Sequence, residues 1–303
     1  PMQQHQHKAS RDIFTKFKGL EVKEAKENDP YHREKPIPAF IEEVHDAIKN
    51  YDINFIYFTD ESFLSMSSDR FEEFVEAYSK IKLPFFIESR VETVKPGYAE
   101  ALESINCTGV AMGIESGSPA LRKRLLSRMM PDEKIIKGFK EFEKTNIRIS
   151  ANNIIGFPEE TREDIMLTIE INRKINPDSV VVNAFRPYSG TKLRKICIEK
   201  GLIPEEERAE DNRIYGAFDN GVLKAEELEN IRKVFALYVT FPKSRWREIR
   251  QAETDDILYK KLMREYKEKE LFNRRKRDDG VTSLHDNISA KDIFINDDGT
   301  EVI

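Results

Sequence analysis

Polar and charged side chains stand at the ends of five apolar segments of this sequence. They are Asp60 and Glu61 in FTDESF, Glu88 and Arg90 in FIESRVE, Glu115 and Ser116 in GIESGS, Asn152 and Asn153 before IIGFPEE, and Arg186 in AFRPYSG. Carboxylates accept hydrogen bonds from an ammonium group, and a guanidinium gives a bidentate fit to a carboxylate. Any one of these residues alone is more often a helix cap or a surface ion pair. Five such groups, each at the end of an apolar segment, indicate a shared binding site.

The apolar segments have the length and composition of buried β-strands. They cover residues 53–58, 83–88, 109–114, 147–155 and 179–185. Helical patterns of apolar residues follow each of them, which predicts a parallel sheet covered by helices with right-handed crossovers. In such folds the carboxyl ends of the strands form one rim, where binding and catalytic groups lie. We therefore expect the polar groups to converge on that rim.

Shorter patterns predict where some helices begin. Asp69 with Glu72 has the spacing of a capping box, and Thr161 with Asp164 resembles a helix start. Amphipathic helices are expected over residues 226–239 and 257–266, and the last residues, 288–303, form a small hairpin or remain mobile.

Composition excludes several classes of protein. The chain has 303 residues with 39% hydrophobic residues and a formal charge of -5 from 50 basic and 55 acidic residues. It contains no apolar run of about 20 residues and no basic stripe, so we expect no membrane and no nucleic-acid partner, and a cytoplasmic location. Only two cysteines are present, Cys107 and Cys197, too few for a disulfide framework or a cysteine-only metal site.

Four motifs in one order resemble a known family. FTDESF, GIESGSPALRKRL, NIIGFPEETREDI and NAFRPYSGTKL together resemble the core of the radical S-adenosylmethionine (radical SAM) superfamily, especially the branch that carries a cobalamin-binding domain. The resemblance covers roughly residues 31–201. It implies an α/β fold, a partial TIM-type (β/α)6 barrel that lacks its first strand here. It divides the chain into an irregular N-terminal remnant (1–34), the barrel core (35–203) and a charged, mainly helical extension (204–303).

The resemblance also implies which residues bind S-adenosylmethionine (SAM). In the resemblance, Thr59, Asp60 and Glu61 bind the amino group of its methionine part, and Arg90 binds its carboxylate. Glu115 and Ser116 face the sugar or the methionine part. The remaining implied cofactor contacts are Asn152, the stretch at Gly156 and Phe157, and the stretch at Phe185, Arg186 and Pro187, the last two stretches lying near the adenine.

One departure from the family concerns the iron-sulfur cluster. The family holds a 4Fe-4S cluster on a CxxxCxxC loop, which this chain lacks. Two interpretations compete: a fragment whose cysteine loop lies upstream, or a cluster-less relative that binds SAM or a nucleotide without catalysis. We expect the fragment, so that DNA upstream of the codon for Pro1 encodes a short strand and the three cysteines. The present chain alone is then expected to be inactive.

The resemblance implies a reaction and partners for the intact enzyme. SAM is cleaved to a 5′-deoxyadenosyl radical, which abstracts a substrate hydrogen or, if cobalamin is bound, serves methyl transfer. A small-molecule substrate and an electron donor such as flavodoxin or ferredoxin are the expected partners. A hydrolase that uses Asp60, Glu61 and Glu115 as acid and base is a further alternative, without support from another motif.

Overall fold

The computed structural model describes residues 35–206 and 216–278, with the short segments 294–295 and 301–302. The predicted N-terminal remnant, residues 1–34, therefore lies outside the described residues. The chain divides into two compact units, the first ending at Trp246 and the second beginning at Arg247. No helix in the described parts combines the length and apolar character that a bilayer span requires.

Helices and strands alternate through the first unit. In chain order they are α1 (Ile37–Tyr51), β1 (Ile56–Phe58), α2 (Ser68–Tyr78), β2 (Phe85–Arg90), α3 (Tyr98–Ser104), β3 (Cys107–Glu115), α4 (Pro119–Arg124), α5 (Asp132–Lys140), β4 (Arg148–Ile155), α6 (Arg162–Ile175), β5 (Ser179–Ala184), α7 (Lys192–Glu199) and α8 (Ala225–Thr240). Short 3-10 turns follow β1 (Phe63–Ser65), β2 (Val91–Thr93) and α8 (Lys243–Arg245).

The five strands form one parallel sheet in the order β1-β2-β3-β4-β5. Each strand lies beside the next one in sequence, with helical crossovers between them. All five predicted strands are present, and the predicted α/β fold with a parallel sheet is confirmed. Apolar runs identified the strands because the residues that face the helices are mostly apolar and buried.

One face of the sheet is packed against helices and forms the core. Phe58 of β1 and Phe85 of β2 contact each other and Phe74 of α2 edge to face, with ring centroids 5.5–6.1 Å apart. Such contacts stabilise a core beyond the burial of area alone. Further along, Val110 and Met112 of β3 are completely buried in the same cluster.

The opposite face of the sheet is more polar, and we call it the open face. Alternate residues of β2 and β4 are partly exposed there, whereas the residues between them are buried. Strand register places these residues side by side. The open face comprises Tyr57, Phe86, Glu88, Arg90, Gly109, Ala111, Gly113, Arg148, Ser150, Asn152 and Val181.

The structure confirms one predicted helix start and corrects another. Thr161 caps α6, and Asp164 returns a hydrogen bond to the backbone of Thr161, which completes a capping box. The box predicted for Asp69 and Glu72 is wrong, because Ser67 is the N-cap of α2 and accepts a hydrogen bond from the Arg70 amide. Asp69 lies in the first turn instead, where its charge is favourable beside the helix dipole.

The C-terminal elements agree in type with the prediction. Helix α8 matches the helix expected over 226–239. In the second unit, α9 (Trp246–Ala252) begins at the boundary, and α10 (Asp256–Asp278) is longer than the predicted 257–266. Two short antiparallel strands, β6 (Phe294–Ile295) and β7 (Glu301–Val302), pair with each other as in the hairpin alternative.

Candidate functional site

Four charged side chains meet where β2 and β3 end, and we call them the charge cluster: Arg90, Glu92, Glu115 and Arg128. Arg128 Nη2 donates to Glu92 Oε2 at 2.5 Å and to the carbonyl of Gly113 at 3.0 Å. Arg128 Nη1 lies 3.5 Å from Glu115 Oε1. Arg90 Nε donates to Glu92 Oε1 at 2.9 Å. One guanidinium thus joins the ends of two neighbouring strands.

The two glutamates that face Arg128 differ in protonation behaviour. Burial opposes the ionisation of Glu92, but the hydrogen bond and charge of Arg128 outweigh it and lower the pKa of Glu92. Burial dominates at Glu115 and raises its pKa, although Arg128 acts in the opposite direction. The 3.5 Å separation from Arg128 is too long for a strong hydrogen bond, which explains the difference. Neighbouring carboxyl groups whose pKa values shift in opposite directions are typical of binding and catalytic sites.

The backbone at the end of β3 explains the GIES sequence. Glu115 has a φ of 66°, in the left-handed region that side chains other than glycine rarely adopt. Its carboxylate lies back over Gly113, where an added Cβ would be 2.2 Å from Glu115 Oε1. Glycine at 113 therefore makes room for the carboxylate. A local conformation of this cost is a feature of functional sites.

Buried polar groups hold the turn after β3 in place through hydrogen bonds. Gly117 donates to Thr168 Oγ1 of α6 at 2.8 Å, and a Cβ at Gly117 would lie 2.3 Å from the carbonyl oxygen of Leu167. Arg122 is completely buried, and its guanidinium donates to the carbonyl of Ser116 at 2.9 Å and that of Met130 at 3.0 Å. Arg122 thus links the turn that follows Glu115 to the segment that carries Arg128.

Ser116 faces the protein interior in this turn. Its side chain is completely buried, and its hydroxyl oxygen accepts a hydrogen bond from the amide of Ser118 at 3.2 Å. The hydroxyl therefore shapes the turn. The role that the resemblance gave to Ser116, contact with the ligand, stays a prediction.

The other predicted residues lie around the same edge of the sheet. Thr59, Asp60 and Glu61 are exposed in the loop after β1. Arg90 ends β2 and is joined to Glu92. Asn152 is partly exposed and lies beside Gly113 in register, whereas Asn153 points to the opposite face and pairs with Asn172 of α6.

The predicted adenine segments lie next to each other. The rings of Phe157 and Phe185 are 5.1 Å apart, and both side chains are buried. Gly156 has a φ of 86°, which turns the chain after β4. Arg186 is partly exposed and Pro187 is buried. These two stretches therefore meet through an apolar contact, with their backbones at the same end of the sheet.

A buried carboxyl group, that of Glu160, fixes the loop after β4. Glu160 Oε2 accepts hydrogen bonds from the amides of Gly156 at 2.5 Å and Phe157 at 3.1 Å. Asn220 donates to the carbonyls of Phe157 and Glu160 at 3.0 Å each. Burial raises the pKa of Glu160 to about 8. The second glutamate of the GFPEET motif therefore holds the loop in shape by accepting hydrogen bonds from backbone amides of the same motif.

Sequence reasoning missed four residues of this region. Glu92, Arg122, Arg128 and Glu160 were not among the predicted site residues. Glu92 continues the spacing of Glu88 and Arg90, and that spacing was a usable signal. Arg128 follows a helix, and nothing in the local sequence marks it as a partner of a strand end.

The residues present do not fit a 4Fe-4S cluster. Cys107 begins β3 and Cys197 lies in α7, and both thiols are buried. Burial raises the pKa of Cys107 to about 12, which keeps it a thiol where cluster iron requires thiolate. Among the described residues, no group of three or more His, Cys, Asp and Glu side chains is placed to hold a metal ion.

Known proteins resemble this chain over part of its length. An uncharacterized methyltransferase, PH0819, from Pyrococcus horikoshii is 33% identical over 115 residues, 38% of this chain and 25% of the relative. The tRNA-2-methylthio-N(6)-dimethylallyladenosine synthase of Treponema denticola is 30% identical over 112 residues, 36% of this chain and 24% of the relative. The chain thus matches about a quarter of the length of these relatives.

A solved structure and a family model cover more of the chain. The cobalamin-dependent SAM radical enzyme OxsB, with aqua-cobalamin bound, superposes with a TM-score of 0.52 and 14% identity over 76% of this chain and 43% of that one. That likeness supports the fold alone. The family model of the radical SAM superfamily matches residues 13–171, just over half of the 303 residues. Because this match spans more than half of the chain and includes the first four strands and most of α6, the chain belongs to the radical SAM superfamily of enzymes.

Proposed function

We propose that the charge cluster is part of a SAM-binding site. The observation that carries the proposal is the meeting of Glu115 and Arg128 at the end of β3. Methionine in SAM presents an ammonium, a sulfonium and a carboxylate, so its site needs acceptors and a guanidinium in close proximity.

Each side chain of the proposed site has a distinct task. Arg128, with Arg90, binds the methionine carboxylate, and Glu115 accepts hydrogen bonds from the ribose or the ammonium. Thr59, Asp60 and Glu61 supply further acceptors for the ammonium from the loop after β1. Asn152 adds a polar contact from the open face.

The adenine is the remaining part of the ligand. In the proposal it lies against the loop after β4 and the stretch after β5, where peptide groups recognise its edge. The hydrogen bonds of Glu160 to Gly156 and Phe157 support this placement, because they hold the two amides in one geometry before the ligand arrives.

For the whole protein we propose radical SAM chemistry that ends in hydrogen abstraction or in methyl transfer, with cobalamin as a further cofactor in the second case. The name of PH0819, an uncharacterized methyltransferase, supports the methyl-transfer branch. Cys107 and Cys197 would not hold the iron-sulfur cluster on which that chemistry depends. A small-molecule substrate and a flavodoxin or ferredoxin remain the proposed partners.

The test uses the protein expressed from its complete gene and reconstituted anaerobically with iron and sulfide. Incubated with SAM and dithionite, it should form 5′-deoxyadenosine or S-adenosylhomocysteine, measured by mass spectrometry. Binding of SAM without either product would instead support the second candidate, a non-catalytic SAM-binding relative. The second candidate is considered because the 303 residues contain no CxxxCxxC loop.

A further inference from the structure

The middle strand of the sheet carries only small residues on the open face, and we call the strip above them the slot. Gly109, Ala111 and Gly113 of β3 form its floor. Register places Glu88 of β2 on one side of Ala111 and Ser150 of β4 on the other. Two strand spacings separate these walls, roughly 10 Å. Only the methyl group of Ala111 stands between the side chains of Glu88 and Ser150 on this face.

Both ends of the slot are closed by larger groups. The ring of Phe86 covers Gly109, where an added Cβ would be 2.5 Å from the ring. The carboxylate of Glu115 covers Gly113, as described above. The slot therefore ends at the charge cluster, beside the proposed SAM site.

An aromatic and acidic pair forms the wall of the slot on the β1 and β2 side. The hydroxyl of Tyr57 donates a hydrogen bond to Glu88 Oε1. The rings of Tyr57 and Phe86 stack with centroids 5.2 Å apart and an interplanar angle of 11°. Tyr57 nevertheless keeps 42% of its surface exposed. Burial and the neighbouring carboxylate raise the pKa of Tyr57, so it remains a donor.

The negative charge of Glu88 has no cationic partner among the described residues. Its hydrogen bond to Tyr57 is its contact on this face, and it forms no ion pair with the described arginines and lysines. A carboxylate beside an exposed aromatic ring is suited to bind a cation, through charge-assisted hydrogen bonds and the ring face. The wall is therefore suited to bind a positively charged N–H group.

We propose that Glu88 and Tyr57 recognise the substrate through an ammonium or another positively charged N–H group that enters the slot. This inference rests on the proposed SAM site, because Glu88 lies two residues before Arg90 on the same strand face, roughly 7 Å away. A substrate group held there lies next to the methionine end of bound SAM. Glu88 and Tyr57 are then specificity-determining residues.

The experiment compares two probes of equal shape, benzylammonium and benzyl alcohol, by ligand-observed NMR titration of the protein expressed from its complete gene. We expect benzylammonium to bind and benzyl alcohol to bind at least about tenfold more weakly, the value of one charge-assisted hydrogen bond. Glu88→Gln should weaken the binding of benzylammonium by a similar factor, and Tyr57→Phe should weaken it by a smaller factor. Glu73→Gln, on the exposed face of α2, is the matched control and should change nothing.

Measurements of SAM affinity and of the unfolding midpoint on the same samples separate the explanations. The inference requires Glu88→Gln to keep SAM affinity while losing preference for the ammonium. Equal affinity for the two probes, or an unchanged benzylammonium affinity in Glu88→Gln with a lower unfolding midpoint, would show that the pair only ties β1 to β2. Either result overturns the inference but leaves the proposed function standing, because neither measures whether the unmodified protein or the charge cluster binds SAM.

Discussion

Arg128 makes two glutamates behave differently although both face it. The pKa of Glu92 is lowered by a short hydrogen bond, whereas the more distant Glu115 follows its burial and has a raised pKa. Glu115 was predicted from the sequence because it directly follows an apolar strand. Arg128 was not, because its place depends on the buried Arg122, which brings a segment after α4 back to the end of β3.

Glu160 gives a prediction about the pH dependence of stability. Burial raises its pKa to about 8 in the folded protein, above the ordinary 4.5, against the opposing effect of two backbone amides. The folded state therefore binds this proton more tightly than the unfolded state does. The resulting stabilisation is complete below pH 4.5 and is lost as the pH rises through about 8. The change is on the order of a few kcal/mol.

Urea unfolding of the unmodified protein and of Glu160→Gln between pH 5 and 9 measures this effect. The unmodified protein should lose stability relative to the glutamine variant as the pH rises. Curves that stay parallel over this range would show that the carboxylate is ionised throughout and that the two amides outweigh burial.

At the scale of elements, the junction of β3, its turn and α6 positions the site. Gly117 touches the backbone of α6 so closely that Gly117→Ala must push the turn away. We expect a loss of about 1–3 kcal/mol in the free energy of unfolding. We also expect weaker SAM binding, because the displaced turn carries Glu115.

Gly97→Ala is the control for this prediction. Gly97 has a φ of 82° with open space around it, so its substitution strains the backbone far from the turn. It should lower the unfolding midpoint and leave SAM affinity unchanged. If Gly117→Ala behaved in the same way in calorimetric titrations and thermal melts, the turn would have no part in positioning Glu115.

The elements themselves were largely predictable, and the exceptions have physical causes. Strands such as β3 are marked by long apolar runs, since a parallel sheet buries them, and Thr161 with Asp164 has one clear capping geometry. At α2, by contrast, Ser67, Ser68 and Asp69 are adjacent candidates, and spacing alone chose the wrong cap. The closed loop of Glu160 and Asn220 could not be predicted, because its partners are 60 residues apart.

At the scale of the whole molecule, the two cysteines set a limit on the present chain. Reconstituted anaerobically with iron and sulfide, these 303 residues should stay colourless and form no 5′-deoxyadenosine, since two separate, buried thiols cannot supply three cluster ligands. Absorption and electron paramagnetic resonance spectra measure this. A stable 4Fe-4S signal bound to this chain would contradict the ligand argument. The cytoplasmic location and the electron donor stay predictions.

The central claim is that Arg128 and Glu115 bind SAM, and titration calorimetry of the protein expressed from its complete gene tests it most directly. Arg128→Lys and Glu115→Gln should each weaken SAM binding about tenfold to a hundredfold, because each loses a charge-assisted hydrogen bond worth roughly 1.5–3 kcal/mol. Arg124→Lys, at an exposed ion pair with Glu159, should leave the affinity unchanged. Unchanged SAM affinity in both site variants, with only a lower unfolding midpoint, would contradict the account.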